Sequence, residues 1–155
     1  MTNKSTATAS AVSQIMTAEP LCISPDTPAR DLARMLEAND ISGMPVVDVC
    51  NRVIGVVSKT DLLRRVVEGP KGSGRGSFFE SLAEGLTDED LHPDNLGTVE
   101  EFMTPAALTA GLDDSVSDVA RRMVEDGVHR IVIVDDDRVV LGLVTSLDIM
   151  RAFPG

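Results

Sequence analysis

The chain repeats itself, and that limits its folds more than any other feature. Shifted by 87 residues, Met16-Thr17 falls on Met103-Thr104, Asp31 on Asp118, and Ala33-Arg34 on Ala120-Arg121. Val47-Asp48 then falls on Val134-Asp135, Gly55 on Gly142, Asp61 on Asp148 and Arg64 on Arg151. Between residues 16–64 and 103–151, 14 of 49 positions are identical without a gap. Two copies are too few for a solenoid, because each would leave an apolar face open. Two copies packed against each other with pseudo-two-fold symmetry close that face and create clefts in related pairs.

Each copy reads as β-α-β-β-α. A short extended stretch (Leu21 to Ile23; Leu108 to Ala110) leads into a turn. In the first copy Thr27 is the expected helix N-cap with Pro28 at the first helical position, and Leu32, Met35 and Leu36 form an apolar stripe. In the second copy Asp114 is the expected cap. Val116, Val119, Ala120 and Met123 form the stripe, and Gly127 ends the helix. Strands follow at Met44 to Val47 and Ile131 to Val134, then polar turns, then strands at Val53 to Val57 and Val139 to Val144. A last helix, Thr60 to Val67 or Leu147 to Phe153, closes each copy. The fold class expected is α/β in the wider, α+β sense. Near-continuous Val and Ile strands imply sheets covered on most of both faces.

The expected organisation is a tail over 1–11, a first repeat over 12–67, a linker over 68–98 and a second repeat over 99–155. The linker carries glycines in GPKGSGRG but lacks the G-x-x-x-x-G-K-[ST] pattern of a P-loop, and Phe78 to Leu86 reads as a short amphipathic helix. A chain of 155 residues with 43% hydrophobic content holds a real core. No apolar run approaches the roughly 20 residues of a membrane span, and Met1 to Ser13 lacks the apolar region of a secretory signal, so a cytoplasmic protein is expected. Net charge is −11, all of it in residues 68–155, since residues 1–67 balance. Nucleic-acid binding needs clustered Lys and Arg, and the acidic second half argues against it. Cys22 and Cys50 make neither a zinc site nor a disulfide scaffold, and a small packing role is expected for Cys22. Asp135-Asp136-Asp137 reads as a turn rather than a Mg²⁺ site.

The positions that carry chemistry lie where a strand runs into the last helix of each copy: GVVSKTD ending at Asp61 and GLVTSLD ending at Asp148. Ser58 with Asp61, and Thr145 with Asp148, have capping-box spacing, which explains both residue types without a ligand. The same geometry offers a second reading. A helix start provides N–H groups and positive partial charge for phosphate, and a carboxylate there accepts both hydroxyls of a ribose. Ser/Thr with Asp therefore suits a nucleotide better than a bare anion. His129-Arg130 precedes a strand, with uncharged Ser42-Gly43 at the equivalent place, so an anion grip there would be asymmetric. Lys59 is a further cation in reach of a first-copy phosphate.

These segments resemble a tandem pair of cystathionine-β-synthase (CBS) domains, a Bateman module. The matching stretches are IMTAEPLCISPDTPARDLARML, ISGMPVVD and GVVSKTDLL in the first copy. In the second they are FMTPAALTAGLDDSVSDVARRM, VHRIVIVDDD and GLVTSLDIM. The resemblance implies a non-enzymatic regulatory module that binds adenine-containing ligands between its two sheets: AMP, ADP or ATP, with or without Mg²⁺, or else S-adenosylmethionine or NAD. It implies ribose contacts from Asp61 and Asp148, and phosphate or ribose contacts from Ser58, Thr60 and Thr145. Thr60 is replaced by Leu147 in the second copy, so the two sites should differ. Ile23, Met44 and Pro45 match positions that wall the adenine pocket. VHRIVIVDDD is similar to the regulatory gamma subunit of AMP-activated kinase, which implies His129 and Arg130 as phosphate ligands. Ala110-Gly111-Leu112 departs from the family's hydrophobic-x-Pro pattern. The family's habit implies a homodimer, with output through an unidentified target protein. The rival readings are an interaction module with vestigial clefts, and a small enzyme or redox protein using Cys22, Cys50 and His129.

Overall fold

The computed structural model describes residues 10–68 and 96–152. After a 3-10 turn at Val12–Gln14 come β1 (Thr17–Ala18), α1 (Ala29–Ala38), β2 (Gly43–Val47), β3 (Val53–Ser58) and α2 (Lys59–Glu68). Then follow α3 (Val99–Phe102), β4 (Thr104–Pro105), β5 (Thr109–Ala110), α4 (Val116–Asp126), β6 (Arg130–Val134), β7 (Val140–Thr145) and α5 (Ser146–Ala152). The helix read at Phe78 to Leu86 lies outside the described residues. No described helix is long and apolar enough to cross a membrane.

The two-residue strands β1 and β4 have no counterpart among the expected elements, and they exchange between the repeats. β1, at the start of the first repeat, pairs antiparallel with β7 of the second, Thr17 opposite Leu143 and Ala18 opposite Gly142. β4, at the start of the second repeat, pairs antiparallel with β3 of the first, Val56 opposite Thr104 and Gly55 opposite Pro105. The result is one sheet of order β1-β7-β6-β5 and one of order β2-β3-β4. Glycine is required where the exchanged strands arrive. A Cβ on Gly55 would lie 2.6 Å from the Thr104 carbonyl oxygen, and one on Gly142 would run into the Met16 side chain.

The chain accordingly divides into two compact units that each draw on both repeats. Unit 1 contains described residues 10–21, 47–54 and 106–152; unit 2 contains 22–46, 55–68 and 96–105. In unit 1, Val12, Val116, Val119, Ile131, Ile133 and Val144 are fully buried in one cluster, each contributing about 1.5–3 kcal/mol by leaving water. Ser10 and Ala11, assigned to the tail by sequence, are held there: the Val116 amide donates to the Ser10 carbonyl at 2.8 Å, and Ala11 bridges Ser115. β5 runs parallel to β6 across α4, while β6 and β7 form an antiparallel hairpin. In unit 2 the buried side chains include Leu32 and Leu36 of α1, Met44 and Val46 of β2, Val57 of β3 and Val99 of α3.

Helix starts differ from expectation: α2 and α5 begin one residue early, at Lys59 and Ser146, and α1 and α4 differ in their caps. α1 begins at Ala29, not at Pro28, because the Pro28 carbonyl receives the Asp31 and Leu32 amides while the Ala29 amide donates to Gly97. No side chain caps it. α4 is capped by Ser115, whose Oγ accepts the Asp118 amide at 3.1 Å. Asp114 is drawn off to accept the Gly111 amide at 3.0 Å. Gly127 ends α4 in the left-handed region (φ 65°), as read. The expected first strand of the first repeat shrinks to a single bridge, Ile23 to Val46.

Arg65 is the buried cation of unit 2. Its Nε donates to the Leu96 carbonyl at 2.8 Å and its Nη2 to Glu101 Oε1 at 3.0 Å, with the guanidinium 5.9 Å from the Phe102 ring centre. Glu101 Oε2 in turn accepts the Thr98 amide at 2.8 Å in the capping box of α3. That amide, opposed by partial burial and then aided by Arg65, holds the Glu101 carboxyl below the usual glutamate range.

Candidate functional site

Each unit carries the same strand-to-helix corner. In unit 2, Asp61 Oδ2 accepts the Ser58 amide at 2.9 Å and the Ser58 hydroxyl at 3.0 Å, and Ser58 Oγ accepts the Asp61 amide at 3.2 Å. In unit 1, Asp148 Oδ2 accepts the Thr145 amide at 2.9 Å and its hydroxyl at 3.1 Å, and Thr145 Oγ1 accepts the Asp148 amide at 3.3 Å. Both are complete capping boxes. A tertiary bond spends one more amide at each helix start: Lys59 donates to the Ser42 carbonyl and Ser146 to the His129 carbonyl, both at 2.9 Å.

This accounting decides what the corners can hold. A helix start has four N–H groups without an intrahelical partner. At α2 those of Ser58, Lys59 and Asp61 are spent, and at α5 those of Thr145, Ser146 and Asp148. Among the described residues, only the amides of Thr60 and Leu147 remain. A phosphate is best met by several converging amides and is repelled by a neighbouring carboxylate. One unspent amide and one carboxylate oxygen instead offer a donor and an acceptor, the pairing that hydroxyl groups use. Thr60, exposed, adds its own hydroxyl in unit 2, whereas unit 1 has the exposed Leu147 there.

The adjacent His129 and Arg130 are separated by the pleat of the sheet. Arg130 lies directly opposite Thr145 across the β6–β7 ladder, so the two share a face. Ile131 lies opposite Val144 on the other face, packed with Val116, Val119 and Met123 of the α4 side. His129, in step with Ile131, belongs to that helix side. It is exposed, and it lines a hollow of about 320 Å³ with Met123, Val124, Val128, Ile149 and Met150. Arg130, Thr145 and Asp148 do not line that hollow. The structure therefore puts Arg130 across the ladder from Thr145, whereas the His129 side chain lines the hollow on the helix side.

In unit 2, Ile23, Met44 and Pro45 are buried, with the Ile23 amide donating to the Pro45 carbonyl at 3.0 Å. Cys22 beside them is half-buried, which pushes its thiol pKa up and keeps it protonated. The matching loop of unit 1 is organised by Arg122, whose Nη2 donates to the Thr109 carbonyl at 2.6 Å and whose Nη1 lies 3.8 Å from Asp114. Ala110 is buried there, and Gly111 faces open space.

Asp135 is a turn residue: its Oδ1 accepts the Asp137 and Val139 amides, as Asp48 Oδ1 accepts those of Cys50 and Arg52. No group of three His, Cys, Asp or Glu side chains among the described residues is arranged to hold a metal. The sequence reading missed Arg64, whose Nη1 lies 3.5 Å from Asp61 Oδ1. Its identity with Arg151 under the 87-residue shift was the available signal.

A family model for the CBS domain matches residues 12–68 and again 99–155. Protein MJ1426 of Methanocaldococcus jannaschii is 26% identical over 144 residues, covering 86% of this chain and 86% of that protein. The chloroplastic CBS domain-containing protein CBSX1 of Arabidopsis thaliana is 30% identical over 137 residues, covering 84% of this chain and 57% of the relative. The chain spans only 23% of another relative, an L-aspartate semialdehyde sulfurtransferase of Methanocaldococcus jannaschii. Among solved structures, the CBS domain pair of protein MJ0100, in complex with 5′-methylthioadenosine and S-adenosyl-L-methionine, superposes with TM-score 0.71 at 26% identity. That match covers 94% of this chain and all of the other. CBSX2 in complex with AMP gives TM-score 0.69 at 26% identity, covering 92% and 94%.

Proposed function

The chain belongs to the CBS domain family, whose domain it carries twice, and on that premise we propose that it is a regulatory module that binds an adenosyl ligand and signals its occupancy to a partner protein. The observation that carries this reading is the hydroxyl-matched edge present at the same place in both units. Asp61 and Asp148 each keep one carboxylate oxygen outside the capping box, and each helix start keeps one amide unspent. Such an edge suits a ribose. The similarity to domain pairs solved with S-adenosyl-L-methionine, 5′-methylthioadenosine and AMP supports the adenosyl class. The three have the adenosine portion in common, which is the part these edges match.

Within that class we assign the phosphate of AMP, ADP or ATP to side chains rather than to the helix starts. Arg130 beside Thr145 serves unit 1 and Lys59 serves unit 2; Ser58 and Thr145 act by holding Asp61 and Asp148. Ile23, Met44 and Pro45 form the apolar backing for adenine in unit 2. A homodimer is part of the reading, tested by sedimentation of the purified chain. The occupied state biases the conformation that the partner reads. Mg²⁺ enters only as a companion of ATP.

The test is thermal denaturation with AMP, ADP, ATP, S-adenosylmethionine and NAD in turn. A true ligand stabilises the fold by about 2.7 kcal/mol at a hundredfold excess over Kd. The capping boxes themselves favour one rival, a purely structural module, since they account for Ser58, Asp61, Thr145 and Asp148 without a ligand. It predicts no shift with any of the five, and equal loss from Asp61→Ala and Asp148→Ala of about 1 kcal/mol as lost caps.

A further inference from the structure

The two carboxylate edges differ in one respect that bears on the order in which they fill. Resting on the adenosyl reading above, we propose that Asp148 in unit 1 engages the ribose of the ligand first, while Arg64 occupies the Asp61 edge of unit 2 as an internal competitor. Asp61 is buried, with 8% of its surface exposed, and its Oδ2 is committed to Ser58. Its remaining oxygen, Oδ1, is the atom facing Arg64 Nη1 at 3.5 Å. A carboxylate taken this far out of water favours a nearby cation, and Arg64, one helical turn on, supplies it.

Unit 1 has the same aspartate and arginine in the equivalent places, Asp148 and Arg151, but not the contact. Asp148 is only partly buried, and Oδ2 carries the bonds to Thr145. Arg151, the repeat equivalent of Arg64, is exposed, and among the described residues it forms no ion pair with Asp148. Asp148 Oδ1 therefore meets a hydroxyl without displacing anything but water. At Asp61 an incoming hydroxyl exchanges a guanidinium for a neutral donor. Arg64 is more than half exposed, so its hold is modest. Exposed pairs of this kind shift an equilibrium by about two- to five-fold.

The experiment is calorimetric titration of the full chain with AMP and, in parallel, with S-adenosylmethionine, on the parent and on Asp148→Asn, Asp61→Asn and Arg64→Met. Asn keeps an acceptor for the cap, and the melting temperature of each free variant checks its fold. The expected result is that Asp148→Asn removes the tighter binding and Asp61→Asn the weaker. Arg64→Met should strengthen the weaker binding by about two- to five-fold and leave the tighter unchanged. Loss of the tighter binding in Asp61→Asn overturns the ordering. So does weakened or unaltered binding in Arg64→Met, weakening being the mark of a group that touches the ligand. Absence of binding by the parent to both ligands is the distinct failure of the adenosyl reading, and the ordering falls with it.

Discussion

Glu101 works at two bonds at once: it closes the capping box of α3 on the Thr98 amide and it neutralises the buried Arg65. Both bonds need the carboxylate, and the amide bond leads in holding its pKa below the usual range. The sign follows from linkage. The stabilisation is in full force above the ordinary glutamate pKa and is lost as the pH falls through the depressed folded value. Glu101→Gln should therefore lower the melting temperature at neutral pH, with the gap to the parent closing as the pH falls below the ordinary glutamate range; a gap independent of pH would refute the assignment. The two cysteines differ by environment alone. Cys50 is exposed, while Cys22 is half-buried with its thiol pushed up. A thiol reagent at neutral pH should consume one equivalent quickly at Cys50 and a second slowly at Cys22, with both fast in urea. Equal native rates would contradict the burial of Cys22. Residues of this kind were legible only in part. The pairing of Ser58 with Asp61 and of Thr145 with Asp148 could be read from spacing, because a capping box is local. That Lys59 and Ser146 spend their amides on Ser42 and His129 could not, because those acceptors arrive by tertiary folding.

At the scale of elements, the exchanged strands β1 and β4 make a prediction through their glycines. An added Cβ at Gly55 meets a backbone atom, the Thr104 carbonyl oxygen at 2.6 Å, which moves only if β4 moves. An added Cβ at Gly142 meets first the Met16 thioether, a flexible side-chain end, with the Thr17 carbonyl oxygen at 3.1 Å. Gly55→Ala should cost about 1–3 kcal/mol, the usual range for overpacking. Gly142→Ala should cost less and be partly rescued by Met16→Ala, whereas Met103→Ala should not rescue Gly55→Ala. Denaturant midpoints of the two double-mutant cycles measure this, and equal rescue at both sites would show that the β4 backbone is not the obstacle. The long elements were legible because they carry a period: the stripe Val116, Val119, Met123 and the runs Met44 to Val47 and Ile131 to Val134 lie where spacing put them. β1 and β4 were not, since two exposed residues show no alternation. The shift from Asp114 to Ser115 as the cap of α4 has a similar cause. Both are good caps, and the choice is made by the Gly111 amide and Arg122, which claim Asp114.

For the molecule as a whole, the repeat visible in the sequence and the unit visible in the structure are not the same object. Unit 1 needs residues 10–21 and 47–54 from the tail and first repeat, and unit 2 needs residues 96–105 from the linker's end and the second repeat. The dependence is more than marginal. Val12 is fully buried in the unit 1 core and its amide donates to the Asp114 carbonyl at 2.8 Å. In unit 2 the Ala29 amide donates to the Gly97 carbonyl at 3.0 Å and the Val99 amide to Thr27 at 2.9 Å, and Arg65 reaches Leu96 and Glu101. Cutting the chain within residues 69–95, at an introduced protease site, should therefore leave two fragments that still elute together. Their joint melting temperature should rise with concentration, because folding has become an association. Each fragment purified in denaturant and refolded alone should fail to melt cooperatively, since each lacks a strand, core side chains and hydrogen-bond partners that only the other supplies. Two fragments that separate on native chromatography, each with its own sharp transition, would mean that the sequence repeat is the folding unit after all and that the exchange of β1 and β4 adds nothing essential.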